Sequence, residues 1–186
     1  MPVNNALIFI TGLVYSKFRA NVRIYSYLCE VKIKLLTMGK TDVQWVREGL
    51  ELYVARLSHY VPFTLQELPQ LKKASSLSPE QIKEKEGEML LAAVKPSDEV
   101  ILLDEHGREL RSVEFAAFIQ EKMNRGKDLV FTVGGAYGFA QKVYDRADGK
   151  ISLSKMTFSH QMVRTIAAEQ LYRAFTIIKG EPYHNE

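Results

Sequence analysis

The sequence predicts an α/β fold, a mostly parallel sheet with helices on both faces, and three observations predict it. Short apolar runs alternate with longer amphipathic stretches from Val31 to the end of the chain, the rhythm of repeated strand-helix units. Two of the runs, Val100-Ile101-Leu102-Leu103 and Leu129-Val130-Phe131-Thr132-Val133, are continuously apolar or nearly so, as strands covered on both faces are. The length of 186 residues and the 46% hydrophobic composition are enough to bury one full core without help from metals or disulfides.

Val31 to Thr37 is the first strand. Thr41-Asp42-Val43-Gln44 reads as a capping box, in which Thr41 and Gln44 would satisfy each other's backbone donors, opening a helix to about Ser58. Pro62 restarts the chain into the strand Phe63 to Leu68, and the polar stretch from Pro69 to Leu77 is a loop. Ser78-Pro79-Glu80-Gln81 is the clearest local signal, because a cap, a proline at the first helical position and a capping-box glutamine stand in order. That helix runs to about Val94, where Pro96 ends it. It contains Gly87, which costs about 1 kcal/mol relative to alanine and points to close packing by a neighbour.

After the strand Val100 to Leu103, the residues Asp104 to Arg108 are expected to turn. Ser112 is positioned to cap a helix through Met123, and Gly126 stops it. The strand Leu129 to Val133 runs into a glycine cluster. A short helix from Ala140 to Ala147, a strand from Ile151 to Ser154 and a long helix from near Ser159 to just before Gly180 complete the order.

Composition narrows the classes of function. The 25 basic and 22 acidic residues give a net charge of +3, an excess too mild to argue for nucleic acid by itself. Cys29 is the only cysteine, which rules out a disulfide within one chain and fits a reducing, cytoplasmic setting. His59 and His106 have no second ligand at metal-like spacing, so no metal is expected.

The first thirty residues stand apart. The apolar run from Ala6 to Tyr15 is ten residues, against roughly 20 needed to cross a bilayer, so no membrane association is expected. Its basic followers Lys17, Arg19 and Arg23 are in the wrong order for a secretory signal. Residues 1–30 are therefore expected to be an extension outside a single domain at 31–186. Setting aside those three cations and Glu30 leaves a nearly neutral body.

Two segments could carry chemistry at the carboxyl ends of buried strands, where open α/β sheets bind ligands. Val133-Gly134-Gly135-Ala136-Tyr137-Gly138 has glycines that let a ligand approach the backbone, yet it matches neither the G-x-G-x-x-G fingerprint nor a phosphate loop. The glycines alone leave a tight turn and a ligand loop equally open. Leu153-Ser154-Lys155-Met156-Thr157-Phe158 places Met156 and Phe158 in a loop where a strand end needs only a cap. An adenine-sized pocket would use them. The KEKEGE stretch, Lys83 to Glu88, reads as a solvated helix face with pairs such as Lys83 and Glu86. The chain closes on Tyr183 and His184, residues suited to stacking and to proton transfer.

These segments, together with the strand ILLDEHG, the run SHQMVR, the stretch EQLYRA and the terminus PYHNE, carry a resemblance. From Val31 to Glu186 the chain resembles the ribosomal RNA large subunit methyltransferase H family of the SPOUT superfamily. The resemblance implies a deep C-terminal trefoil knot and a homodimer. It also implies S-adenosylmethionine as cofactor, lined by Leu103, Gly134, Gly135, Leu153, Ser154, Lys155, Met156, Thr157 and Phe158. The implied reaction is methylation at N3 of a pseudouridine in helix 69 of 23S rRNA on the assembled ribosome. Tyr183 and His184 are then expected to shape the nucleotide site, with His184 as a candidate base, and Arg164, Arg173 and Lys155 to meet phosphates.

Two positions depart from the family pattern. Val31 stands where relatives begin with methionine, which makes it the expected natural start, and Asn185 stands where they commonly carry histidine or arginine. The alternatives are a non-catalytic ribosome-associated RNA-binding protein of the same fold and a nucleotide-dependent oxidoreductase. The intact loops oppose the first, and the missing glycine fingerprint opposes the second.

Overall fold

A computed structural model of the chain describes residues 31–71 and 74–184. The extension expected at 1–30 and the departure at Asn185 lie outside the described residues. Five parallel strands form one sheet in the order β2-β1-β4-β3-β5, with β1 at Ile33–Met38, β2 at Phe63–Leu68, β3 at Glu99–Glu109, β4 at Leu129–Val133 and β5 at Gly149–Ser152. The helices are α1 (Gln44–Leu57), α2 (Pro79–Ala92), α3 (Ser112–Asn124), α4 (Gln141–Arg146) and α5 (Met162–Lys179).

The strand period of two divides the core. Ile33, Leu35, Ile101, Leu129, Phe131 and Val133 face α1, α3 and α5, whose Leu50, Ile119, Ala168 and Leu171 are fully buried against them. Leu36, Met38, Val100, Leu102 and Val130 face the other way, where Leu90 of α2 and Val143 of α4 cover them. Helices on both faces are the reason that the central strands are apolar throughout.

The Ser78 capping box forms as expected: Gln81 N–H donates to Ser78 Oγ at 3.2 Å, and Ser78 N–H donates to Gln81 Oε1 at 2.9 Å. Gly87 marks a close approach. A Cβ there would lie 3.0 Å from Ala140 Cβ and 3.2 Å from Lys142 Cε, so α2 meets the start of α4 at a glycine. At the far end of the chain, Gly180 adopts φ +69° and closes α5 in the left-handed conformation.

Four local expectations are corrected. The Thr41 capping box does not form: α1 starts with Val43 at its cap, and Thr41 gives its hydroxyl and its N–H to Glu67 Oε1 at 2.6 and 2.7 Å. A carboxyl oxygen at the end of β2 outcompetes the local cap, and Gln161 Oε1 accepts from the Asp42 and Val43 amides instead. Asp104 to Arg108 is not a simple turn, because β3 continues to Glu109. Leu103 and Arg108 both register with Ile151, and the residues between them bulge outward. Gly107 permits the strand's return, since a Cβ there would lie 2.4 Å from the Ile151 carbonyl carbon. Ser112 is the first helical residue of α3 rather than its cap; Glu114 accepts the Arg111 N–H at 2.9 Å. Finally, α5 begins at Met162, with Ser159 Oγ accepting its N–H at 3.2 Å.

Candidate functional site

The carboxyl ends of β3, β4 and β5 open into a cleft of about 370 Å³. Leu103, Asp104 and Glu105 enter it from the β3 bulge, Gly134, Gly135, Ala136 and Gly138 from the loop after β4, and Leu153, Ser154, Met156, Thr157 and Phe158 from the loop after β5. The fold thus brings together every expected cofactor-lining residue except one. Lys155 is absent from the lining of the cleft, its side chain 87% exposed and its ammonium 3.7 Å from Glu109, because a charged head is better solvated in water than against an apolar wall.

Both loops are held by hydrogen bonds within themselves. Gly138 N–H donates to Gly135 O at 3.2 Å with Gly138 at φ +78°, so the glycine segment is a tight turn and a cleft wall at once. In the other loop, Ser152 Oγ donates to Ser154 O at 2.8 Å and Ser154 Oγ accepts the Met156 N–H at 2.9 Å. This leaves Met156 73% exposed at the cleft edge. Among the described lining residues the acids are Asp104 and Glu105, and no lysine or arginine joins them. Asp104 is fixed by the Tyr144 hydroxyl at 2.6 Å and the His106 N–H at 2.8 Å. Burial, reinforced by Asp104, pushes the Tyr144 phenol well above its usual range, so it remains a donor.

A second cleft of about 380 Å³ shares Gly135, Ala136 and His160 with the first. Its other walls include Met38, Gly39, Gln70, Glu86 and Tyr137. Arg164 lies beneath it and is only 1% exposed. Its guanidinium donates to the carbonyls of Met38, Gly39 and His160 and to Thr41 Oγ1, at 2.5 to 3.0 Å, and stands 3.5 Å from Glu67. The phosphate contact expected of Arg164 is therefore corrected: the side chain is consumed in pinning the segment 38–41 to the start of its own helix at His160.

Arg173, Tyr183 and His184 form a separate group on α5 and the tail. Arg173 binds Glu169 through Nε at 3.0 Å, lies 4.8 Å from the Tyr183 ring centroid and reaches His184 Nδ1 at 3.5 Å. The Tyr183 hydroxyl lies 3.4 Å from that of Tyr53 and 3.2 Å from Glu169 Oε1. Burial, then the Tyr53 contact and the Glu169 charge, raise the Tyr183 phenol well above its usual range and keep it neutral. None of the three lines either cleft of the same chain.

Sequence reasoning missed Glu86, His160 and Gly107. Glu86 was expected to pair with Lys83 on a solvated face. Instead its carboxylate turns toward Gly135, where a Cβ would fall 2.2 Å from Oε2, and that oxygen is buried without a hydrogen-bond partner. Burial raises its pKa. The adjacent Gly87 signalled a buried helix side but not which acid shared it. No group of three or more potential metal ligands occurs among the described residues, and no described helix is long and apolar enough to cross a membrane.

Comparison with known proteins places this geometry in a family. The sequence profile of the family described as "Predicted SPOUT methyltransferase" matches residues 31–184. Relatives named ribosomal RNA large subunit methyltransferase H include that of Bacteroides fragilis, 53% identical over 157 residues spanning 84% of this chain and 100% of the relative. That of Christiangramia forsetii is 54% identical over 154 residues, spanning 82% and 98%. Among solved structures the chain is similar to the SpoU methyltransferase AviRb of Streptomyces viridochromogenes in complex with AdoMet, at 16% identity and a TM-score of 0.43, covering 82% of this chain and 60% of that one. With a profile match over nearly all the described residues and relatives above half identity, the chain belongs to the SPOUT methyltransferase family.

Proposed function

We propose that the chain is an S-adenosylmethionine-dependent rRNA methyltransferase acting at N3 of a pseudouridine in helix 69 of 23S rRNA, on the assembled ribosome and as a cytoplasmic homodimer with a C-terminal trefoil knot. The relatives' name supports the rRNA substrate. The observation that carries the cofactor is the first cleft, whose walls combine glycine backbone, apolar side chains and small hydroxyl residues and whose acids, Asp104 and Glu105, have no lysine or arginine beside them among the described lining residues. Such a lining suits a ligand that is cationic at its sulfonium and its ammonium. It opposes a dinucleotide, whose pyrophosphate would meet Asp104 and Glu105.

S-adenosylmethionine, when bound, supplies an electrophilic methyl group. Gly134 and Gly135 would let it meet backbone, Leu103, Leu153, Met156 and Phe158 would take its apolar ring, and Asp104 and Glu105 would face its positive charge. The loops' internal hydrogen bonds hold these groups in place beforehand, and such positioning can contribute on the order of 7–11 kcal/mol of barrier reduction. Tyr183 and His184 lie off the cleft of their own chain, so their role in shaping the nucleotide site falls to the tail of the second copy. Arg173 would order that tail, and Lys155, exposed and only 3.7 Å from Glu109 at the surface, would exchange that partner for phosphate.

The nearly neutral body makes phosphate attraction weak, so recognition has to use the shape of the assembled particle. Methyl incorporation into whole ribosomes and into the naked stem-loop, under identical conditions, tests this. Ribosomes are expected to be methylated at N3 and the stem-loop barely at all. Equal rates on the two would overturn the shape argument, and absence of the methyl group from rRNA would overturn the assignment.

A further inference from the structure

The second cleft has the chemistry of a nucleobase site. Tyr137 is 51% exposed on its rim, a flat surface on which a base can stack. Gln70 offers both a donor and an acceptor for a base edge, and His160 stands on the wall shared with the first cleft.

Methylating a ring N–H requires that its proton leave, and the titratable residues lining the two clefts are few. The Asp104 oxygens already accept from Tyr144 and from the His106 amide. Glu105 is exposed and lies near His106 and Thr157. Glu86 alone among the acids lining these clefts has a buried oxygen with no hydrogen-bond partner. It abuts Gly135, the residue at which the clefts meet.

Resting on the rRNA reading above, we propose that the second cleft seats the target base and that Glu86 accepts the proton from the ring nitrogen that is methylated. In that step the N–H proton passes to Glu86 Oε2, and the nitrogen lone pair forms the bond to the methyl carbon of a sulfonium donor. The carbon–sulfur bond breaks with its electron pair going to sulfur, which becomes a neutral thioether. Glu86 then returns the proton to water. Burial favours the protonated carboxyl, which brings this acid's basicity closer to that of the working pH than an exposed glutamate's.

The test compares the full-length wild-type and Glu86→Gln proteins, the second isosteric but unable to take a proton. The readouts are ribosome methylation at saturating cofactor, cofactor affinity by calorimetry, and amide shifts of Gly135 and Tyr137 on titration with free pseudouridine. Glu86→Gln is expected to lower the methylation rate by roughly 10²- to 10⁴-fold, with cofactor affinity and the pseudouridine-induced shifts retained. A wild-type rate in Glu86→Gln, or no pseudouridine-induced shift at either amide in the wild type, overturns the proposal alone. Wild-type protein that leaves ribosomes unmethylated overturns the rRNA reading and the proposal with it. Glu86→Ala serves as a second variant should the glutamine disturb folding.

Discussion

The two clefts share a wall at Gly135, Ala136 and His160, yet they are made of different material. The first is enclosed largely by backbone and apolar side chains held by hydrogen bonds inside two loops. The second presents a carboxylate, an amide and a phenol of its own, beside the shared His160, above segments tied together by a buried guanidinium. A wall of backbone recognises shape and resists adjustment. A wall of ionisable side chains can move protons, but it depends on whatever holds those side chains in register.

The sharpest way to break the second cleft is therefore from below. Arg164→Ala would strip the partners from the Met38, Gly39 and His160 carbonyls and leave Glu67 without its buried cation. Removing one member of a buried charge pair typically costs about 3–5 kcal/mol, and a loss of that size is expected in urea unfolding. Arg164→Lys should not restore it, since a single ammonium cannot span three carbonyls. Arg173→Ala, on the same helix but with its side chain 26% exposed beside Glu169, is expected to cost less, about 1–2 kcal/mol. Equal losses for the two would show that Arg164 is no special pin.

The contrast between these arginines also shows what the sequence could convey. Strand runs, the Ser78 box and the strain at Gly87 are local patterns, and the sheet, the paired helices and the first cleft follow from them. Arg164 and Arg173 stand nine residues apart, about half a turn around the same helix, but residue type and spacing alone do not say which side is buried; the distant partners at Met38, Gly39 and Glu67 decide it. Glu86 was hidden for a related reason: a charge run looks solvated until the fold turns one member inward. Thr41 failed as a cap because Glu67, from another strand, was a stronger acceptor.

The shared wall gives a smaller and more specific test. A Cβ at Gly135 falls 2.2 Å from Glu86 Oε2, so the obstacle is first a side-chain end and only then the space for a cofactor. Gly135→Ala is expected to destabilise by about 1–3 kcal/mol, as overpacking does. Adding Glu86→Ala should recover part of that, with a coupling of roughly 0.5–3 kcal/mol between the two sites. Chemical denaturation of the four proteins measures it. Simple additivity would mean that the carboxylate does not occupy the glycine's free space.

The smallest expected effect separates the clefts by pH. Glu86 has its pKa raised by burial, so the folded protein holds this proton more tightly than the unfolded chain does. Below the unfolded value both states are protonated, and the acid and its amide replacement are equivalent. As pH climbs through the interval up to the folded value, the unfolded state ionises first, and the wild type loses stability that Glu86→Gln retains. The groups facing Glu86 across the cleft are Tyr137 and His160, and Lys142 from α4 is already engaged by Glu84 and Glu88. No cation on these elements is thus committed to Glu86. The melting temperature of Glu86→Gln relative to wild type should start near zero in acid and widen to a positive difference at neutral pH. A flat difference across this pH range would mean that burial does not hold the Glu86 proton, and the second cleft would lose its claim to take one up.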